Sequence, residues 1–272
     1  MKNSGAIRIG IGGWVFPPWR GSFYPAGLRQ ADELAHASRR VTGIEINGTF
    51  YRTQIPSTFR KWRDETPDDF VFSMKGLRYV TQRADLAASG PSLERFFASG
   101  LTELGDKLGP VLWQFAPFKQ FDEADFAAFL ELLPHEIAGR AIRHVVEVRH
   151  PSFRAPAFFD LLRGHRIAVA LVDDAKHPSF DELTADFAYL RLRCCAEDEP
   201  TGYPPAALDH WAEQLGAWSA EGRDCFLYFI NGAKIRAPAA AQALIERLEA
   251  ITASGASRGV ICADATSPIG SV

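Results

Sequence analysis

Short apolar runs recur along the chain, each bounded by glycine, proline or charged residues. Eight of them read as strands: residues 7–12, 43–49, 70–75, 111–115, 144–149, 167–173, 187–192 and 225–230. Between them the spacing changes to that of helices. Residues 28–40, 56–65, 91–108, 122–133, 156–163, 205–220 and 238–253 carry apolar side chains three and four apart, several with proline in the first turn. In 91–108 the stripe is Leu93, Phe96, Phe97, Leu101 and Leu104, and in 122–133 it is Phe126, Phe129, Leu130 and Leu133. Residues 179–186, between the sixth and seventh strands, leave room for one helical turn or less.

Strand and helix in alternation imply parallel pairing, because a parallel neighbour is reached only through a crossover. Eight such repeats in 272 residues match the length of one closed barrel. The expected fold is therefore α/β: a single TIM-like (β/α)8 barrel of parallel strands with outer helices. It spans residues 1–272 as one domain, with 259–272 as a tail that the repeat does not place. A doubly wound open sheet is the rival. Gly10, Gly12 and Gly13 do not form GxGxxG, and the run continues into aromatic and proline residues instead of a helix.

Composition narrows the function. The 30 basic and 33 acidic residues leave a net charge of −3, so no global positive field steers the chain to nucleic acid, although a local basic cleft stays open. No run of apolar residues is long enough for a membrane span, and the N-terminus lacks the apolar core of a signal peptide. Cys194, Cys195, Cys225 and Cys262 form no CxxC, which fits a reducing, cytoplasmic setting.

In such barrels the C-terminal strand ends build the site. Glu45 and Asn47 alternate with Thr49 on the second strand, either to contact a ligand or to form an internal network. Lys75 ends the third strand, and Gln114 the fourth, with Trp113 pointing oppositely toward a helix. Glu147 and Arg149 share a face of the fifth strand, as an ion pair or as part of a site. Asp173 and Asp174 close the sixth strand, and Arg191 and Arg193 share a face of the seventh. Asn231 follows the eighth, within reach of the pocket if Phe229 caps the barrel core.

These positions divide into roles. Glu45, Glu147 and Asp173 are the candidate catalytic acids and bases. Trp14, Asn47, Tyr51, Lys75, Gln114, Arg149, Arg191 and Asn231 are the candidate substrate-binding residues, the arginine forks suiting phosphate or carboxylate. No cofactor is expected. A divalent metal would have to use Glu147, Asp173, His150 and His177, which form neither HExxH nor CxxC. Loop aromatics including Trp14, Tyr51, Tyr79 and Tyr203 suit either a lid over a small molecule or a base-stacking groove.

The stretches IGIGGWVFPPWRGSFYP, IEINGTFYRTQIPSTFRKW, FVFSMKG, LGPVLWQFAP, VVEVRHPSF and YFINGAKIRAPAAAQAL resemble the DUF72 family, also called YecE-like proteins. They run from Ile9 to Leu244. The resemblance implies a TIM-barrel-like fold, reminiscent of endonuclease IV and sugar-isomerase barrels, and so phosphoester or nucleic-acid work by analogy. The family's characteristic positions also fall on Gly13, Trp19, Gly21, Phe23, Tyr24 and Phe50. One departure follows Arg191: where the family commonly has His-Gly, this chain reads LRCCAEDEPTGYP. The reading as a whole is an enzyme acting on a small anionic or phosphorylated substrate. The alternative is an accessory protein that binds or processes nucleic acid along a basic, aromatic-lined groove.

Overall fold

The structure is a computed structural model and describes residues 4–260. The strands of its main sheet are β1 (Ile7–Gly12), β2 (Gly43–Ile46), β3 (Val71–Lys75), β4 (Leu108–Gln114), β5 (His144–Glu147), β6 (Ala168–Val169), β7 (Leu171–Asp173), β8 (Phe187–Leu192) and β9 (Asp224–Phe229). They form one parallel sheet in the order β6-β5-β4-β3-β2-β1-β9-β8-β7. The first and last members of that order are successive in the chain. The sheet therefore nearly closes into a barrel, with helices outside, as the strand–helix repeat requires.

The expected strand 167–173 is split at Ala170, and the reason is a side chain. The Ala170 N–H donates to Val146 O of β5 at 2.9 Å. On the opposite edge, Thr184 Oγ1 accepts from Val169 N at 2.8 Å and donates to Ile167 O at 2.6 Å. Thr184 lies in the helix-free connection before β8. Its hydroxyl occupies the backbone groups that β8 would otherwise bond, so β6 pairs only with β5 and β7 only with β8.

A similar substitution occurs between β3 and β4. The fourth strand starts three residues earlier than its sequence suggests and includes Pro110, which has no N–H to give. The register shifts between Phe72 and Met74, and Ser73 Oγ lies 2.8 Å from Pro110 O as donor.

Two apolar layers follow from strand alternation. Leu112, Val145, Ala170, Val172, Phe187, Tyr189, Phe226 and Tyr228 fill the barrel interior. The opposite strand faces, among them Ile44, Phe72, Trp113, Val146, Leu190 and Phe229, pack on the surrounding helices. Those helices are α1 (Glu33–Ala37), α2 (Pro56–Asp64), α3 (Arg78–Thr81), α4 (Gly90–Phe97), α5 (Glu123–Glu131), α6 (Pro156–Gly164), α7 (Pro205–Ala220) and α8 (Ala237–Val260). The helix expected over 28–40 is reduced to a 3-10 turn and α1. The one expected over 91–108 breaks at Gly100, whose φ of +94° ends α4 before a 3-10 stretch begins. No helix among the described residues is long and apolar enough to cross a membrane. Of the expected tail, residues 261–272 lie outside the described residues.

Gly10 of β1 and Gly43 of β2 are register partners beneath the Tyr228 ring. A Cβ on Gly10 would lie 1.9 Å from Gly43 O and 3.1 Å from Tyr228 Cδ1, so backbone would have to move. Gly10→Ala is expected to cost about 1–3 kcal/mol or more, a drop of several degrees in melting temperature. Gly48→Ala, which meets open space, serves as the control. Equal melting temperatures for the two variants would remove the packing argument.

Candidate functional site

The inward faces of β2, β3, β4, β5 and β8 change from apolar to polar near their C-terminal ends. Arg191, on β8, reaches the centre. Its Nε and Nη2 donate to Glu45 Oε2 and Oε1, both at 2.9 Å, as a two-pronged fork. Its Nη1 donates to Glu147 Oε2. One guanidinium thus joins carboxylates from two distant strands, and all three side chains are buried.

The carboxylates are otherwise fully engaged. Tyr189, two residues before Arg191 and so on the same face, donates its hydroxyl to Glu45 Oε2 at 2.8 Å. Ser73 Oγ lies 2.7 Å from that hydroxyl. Gln114 Nε2 donates to both oxygens of Glu147 at 2.9 Å, and Arg149 Nε donates to Glu147 Oε1 at 2.8 Å. Burial alone would raise the Glu147 carboxyl. Arg191, Arg149 and the Gln114 bond overcome it and hold the group down at about 2.

Lys75 ends β3 on the same inward face. Thr49 Oγ1 donates to its carbonyl at 2.7 Å, fixing its backbone against the end of β2. The side chain is 9% exposed, and its Nζ lies 4.4 Å from the centre of the Phe50 ring. Among the described residues no hydrogen bond or ion pair engages that ammonium. Burial, and then the charge of Arg191, lowers its pKa from 10.5 to about 8, against the opposing pull of Glu45 and Glu147.

The remaining expected residues fall around this group. Asp173 does not join it. Val172 points into the barrel, so Asp173 faces out, and its Oδ2 accepts from Tyr203 OH at 2.8 Å. Asp174 takes the inward position and accepts from Arg193 Nη1. Phe229 packs outside the barrel instead of capping its core, while Tyr228 and Ile230 point in. Asn231 nevertheless reaches the rim, its amide turned so that the oxygen accepts from Arg193 Nη2 at 2.9 Å. Asn47 leaves the strand for a helical conformation and sits beside Gly12. Trp14 meets Trp62 of α2 edge-on, and Tyr51 is exposed beside Phe50. The sequence reading missed Tyr189, Ser73 and Asp174 as members of the site. Parity with Arg191 identifies Tyr189, and parity with Lys75 identifies Ser73.

Candidate metal donors are not gathered: the Glu147 oxygens are occupied, His150 bonds Ser152, and His177 lies 4.0 Å from Asp174. Among the described residues no cluster of three or more His, Cys, Asp or Glu side chains is arranged to hold a metal.

The family model described as "Protein of unknown function DUF72" matches residues 8–258. The UPF0759 protein YecE of Escherichia coli is 29% identical over 150 residues, covering 55% of this chain and 50% of its own length. The UPF0759 protein YunF of Bacillus subtilis is 29% identical over 162 residues, covering 57% and 54%. The chain thus spans about half the length of the curated relatives it matches. Two solved structures share the fold. A DUF72 family protein from Thermotoga maritima has a TM-score of 0.67 at 23% identity, covering 91% of this chain and 99% of that one. Another from Enterococcus faecalis has a TM-score of 0.70 at 14% identity, covering 89% and 95%.

Because the Glu147 pKa is depressed on folding, its contribution is complete above the ordinary value of 4.5 and is lost as pH falls toward about 2. That contribution is on the order of 3 kcal/mol. Glu147→Gln leaves Arg191 short of one carboxylate and is expected to destabilise the fold by about 3–5 kcal/mol at pH 7. Urea unfolding across pH 2–7 checks both effects. A variant as stable as wild type at pH 7, or one that keeps the full acid loss, contradicts the assignment.

Proposed function

The chain belongs to the DUF72 family, and on that premise we propose that the mouth of this barrel binds a small anionic molecule, phosphorylated or carboxylated, through Lys75 and Arg149. One observation carries the reading. Beneath the mouth every charged group is paired, yet the Lys75 ammonium and the terminal nitrogens of Arg149 have no hydrogen-bond partner among the described residues. Arg149 is the outer member of the network, 16% exposed, with its Nε committed to Glu147. A guanidinium held at one nitrogen keeps donors for a ligand. Locally, the cations Lys75, Arg149, Arg191 and Arg193 outnumber the carboxylates Glu45, Glu147 and Asp174, although the whole chain is net negative.

The reading changes the roles assigned to the acids. A carboxylate held near 2 and bonded at both oxygens is a weak proton acceptor at neutral pH, so Glu147 serves to hold the arginines. Glu45, bonded by Arg191 and Tyr189, does the same. Lys75, lowered to about 8 by burial and by Arg191, is placed to exchange a proton closer to neutrality than an ordinary lysine. A cytoplasmic setting belongs to the same proposal and is supported by the free thiols Cys194, Cys195 and Cys225.

A second reading rests on a separate observation. Tyr51 and Tyr79 are 63% and 47% exposed, and the Arg78 guanidinium lies 5.9 and 5.1 Å from their ring centres. Such a rim suits stacked bases of a single-stranded nucleic acid. Oligonucleotide binding that falls steeply with salt and is lost in Tyr51→Ala favours this second reading.

Glycerol 3-phosphate and malonate are suitable probes of the first reading, followed by calorimetric titration. Arg149→Lys keeps the charge but loses the fork, and is expected to weaken binding by about 1–3 kcal/mol. Affinity should fall as pH rises through about 8, where Lys75 loses its proton, and Lys75→Met should abolish that step. Affinities unchanged in both variants would reject the reading.

A further inference from the structure

We propose that Lys75 is an amine nucleophile that condenses with the carbonyl group of an anionic aldehyde or ketone, forming an imine inside the barrel mouth. The inference rests on the anion-binding reading above and adds a covalent step to it.

The argument starts from competition for carboxylates. A lysine retained for charge alone is expected to sit on an acid. Two acids are close enough to act on Lys75, and neither accepts a hydrogen bond from it. Arg191 and Tyr189 take up Glu45, while Arg191, Arg149 and Gln114 take up Glu147. The arginine fork matches a carboxylate better than a single ammonium can, so the lysine is excluded from both. Its Nζ rests instead over the Phe50 ring.

An ammonium in that position is poorly solvated and lies near a second cation, the two conditions that favour a neutral, nucleophilic amine. With a pKa of about 8, roughly a tenth of the Lys75 side chains carry a free lone pair at pH 7. The backbone under the nucleophile is fixed, because Thr49 Oγ1 bonds both Lys75 O at 2.7 Å and Ile46 O at 3.0 Å. Arg149 supplies unused donors for the anionic end of the same molecule. A molecule with a carbonyl at one end and a phosphate or carboxylate at the other therefore meets a nucleophile and an anchor together.

The step balances without an oxidant or reductant. The Nζ lone pair attacks the carbonyl carbon, the C–N bond forms, and the C=O π electrons move to oxygen. One amine hydrogen passes to that oxygen, giving a carbinolamine. The oxygen then departs as water with the second amine hydrogen, leaving C=N. A proton taken up on the imine nitrogen makes it an electron sink, which assigns the site to chemistry at the carbon next to a carbonyl.

Pyridoxal 5′-phosphate is a suitable probe, since it joins an aldehyde to a phosphate. Pyridoxine 5′-phosphate, the corresponding alcohol, reports anion binding alone. Wild-type protein is mixed with the aldehyde, reduced with borohydride, and its labelled lysines are mapped by peptide mass spectrometry. Lys75 is expected to label about tenfold or more faster than Lys61, which is 62% exposed, because its neutral fraction is larger. The rate should climb through pH 8, and Lys75→Arg should remove that label while other lysines keep theirs. The charged groups that act on this titration are Arg191, Glu45, Glu147 and Arg149. Pyridoxine 5′-phosphate that binds through Arg149, combined with Lys75 labelling no faster than Lys61, overturns the imine and leaves the anion site standing. Failure of both phosphates to bind, with no selective label, overturns both. The site map on wild-type protein decides the matter without relying on any variant to fold.

Discussion

The site depends on one guanidinium. Arg191 bridges Glu45 and Glu147 across the barrel interior, and each further contact exists because those carboxylates are held in place. Burying three ions costs several kcal/mol of hydration per ion, which their attraction offsets only when the hydrogen bonds are complete. Here every carboxylate oxygen accepts at least one: Tyr189 and Arg191 bond Glu45, and Gln114, Arg149 and Arg191 bond Glu147. With the network satisfied inside itself, the next cation in line, Lys75, has no partner. The exposed side of Arg149 is in the same position. The availability of these donors is a consequence of how thoroughly the layer beneath them is paired.

Much of this was legible in the sequence, for a reason that also explains the failures. Strand parity is readable where polar and apolar residues alternate. IEI, SMK, WQ, VEV and YLRL each mark an inward polar position inside an otherwise apolar run, and Glu45, Lys75, Gln114, Glu147 and Arg191 all converge as expected. Parity is unreadable where both faces are apolar, as strands covered on both sides usually are. In LVDD nothing distinguishes Leu171 from Val172, so the sequence does not say which of Asp173 and Asp174 faces in; the structure turns Asp174 inward and Asp173 out. In FLYFI the aromatic residues Tyr228 and Phe229 give no direction either, and Phe229 proved to face out. At Asn47 the backbone leaves the extended conformation, so alternation no longer gives its direction.

Arg193 also bears on the departure that follows Arg191. It keeps the inward parity of its strand, binds Asp174 and reaches Asn231, thereby tying the ends of β7, β8 and β9 together. Burial, and then the nearby Arg149, disfavour its charge. A second arginine so close to the first is stable because Asp174 stands on its other side. The rim of this barrel is thus built from charge pairs that cross between strands, whereas its lower interior is apolar.

The split at Ala170 gives the barrel a clasp. Elsewhere around the lower ring, backbone ladders join each strand to both neighbours, and a force that widens it would have to be shared among them. Between β6 and β8 the joint is a single threonine hydroxyl, bonded to Val169 and Ile167. A ring with one weak joint yields there first, since local opening follows the segment with the fewest bonds to break. The joint sits low on the strand, at Ile167 and Val169, whereas the upper end that carries Asp174 stays laddered to β8. The circumference of the barrel's lower end is set, at this one point, by a side chain and not by the sheet.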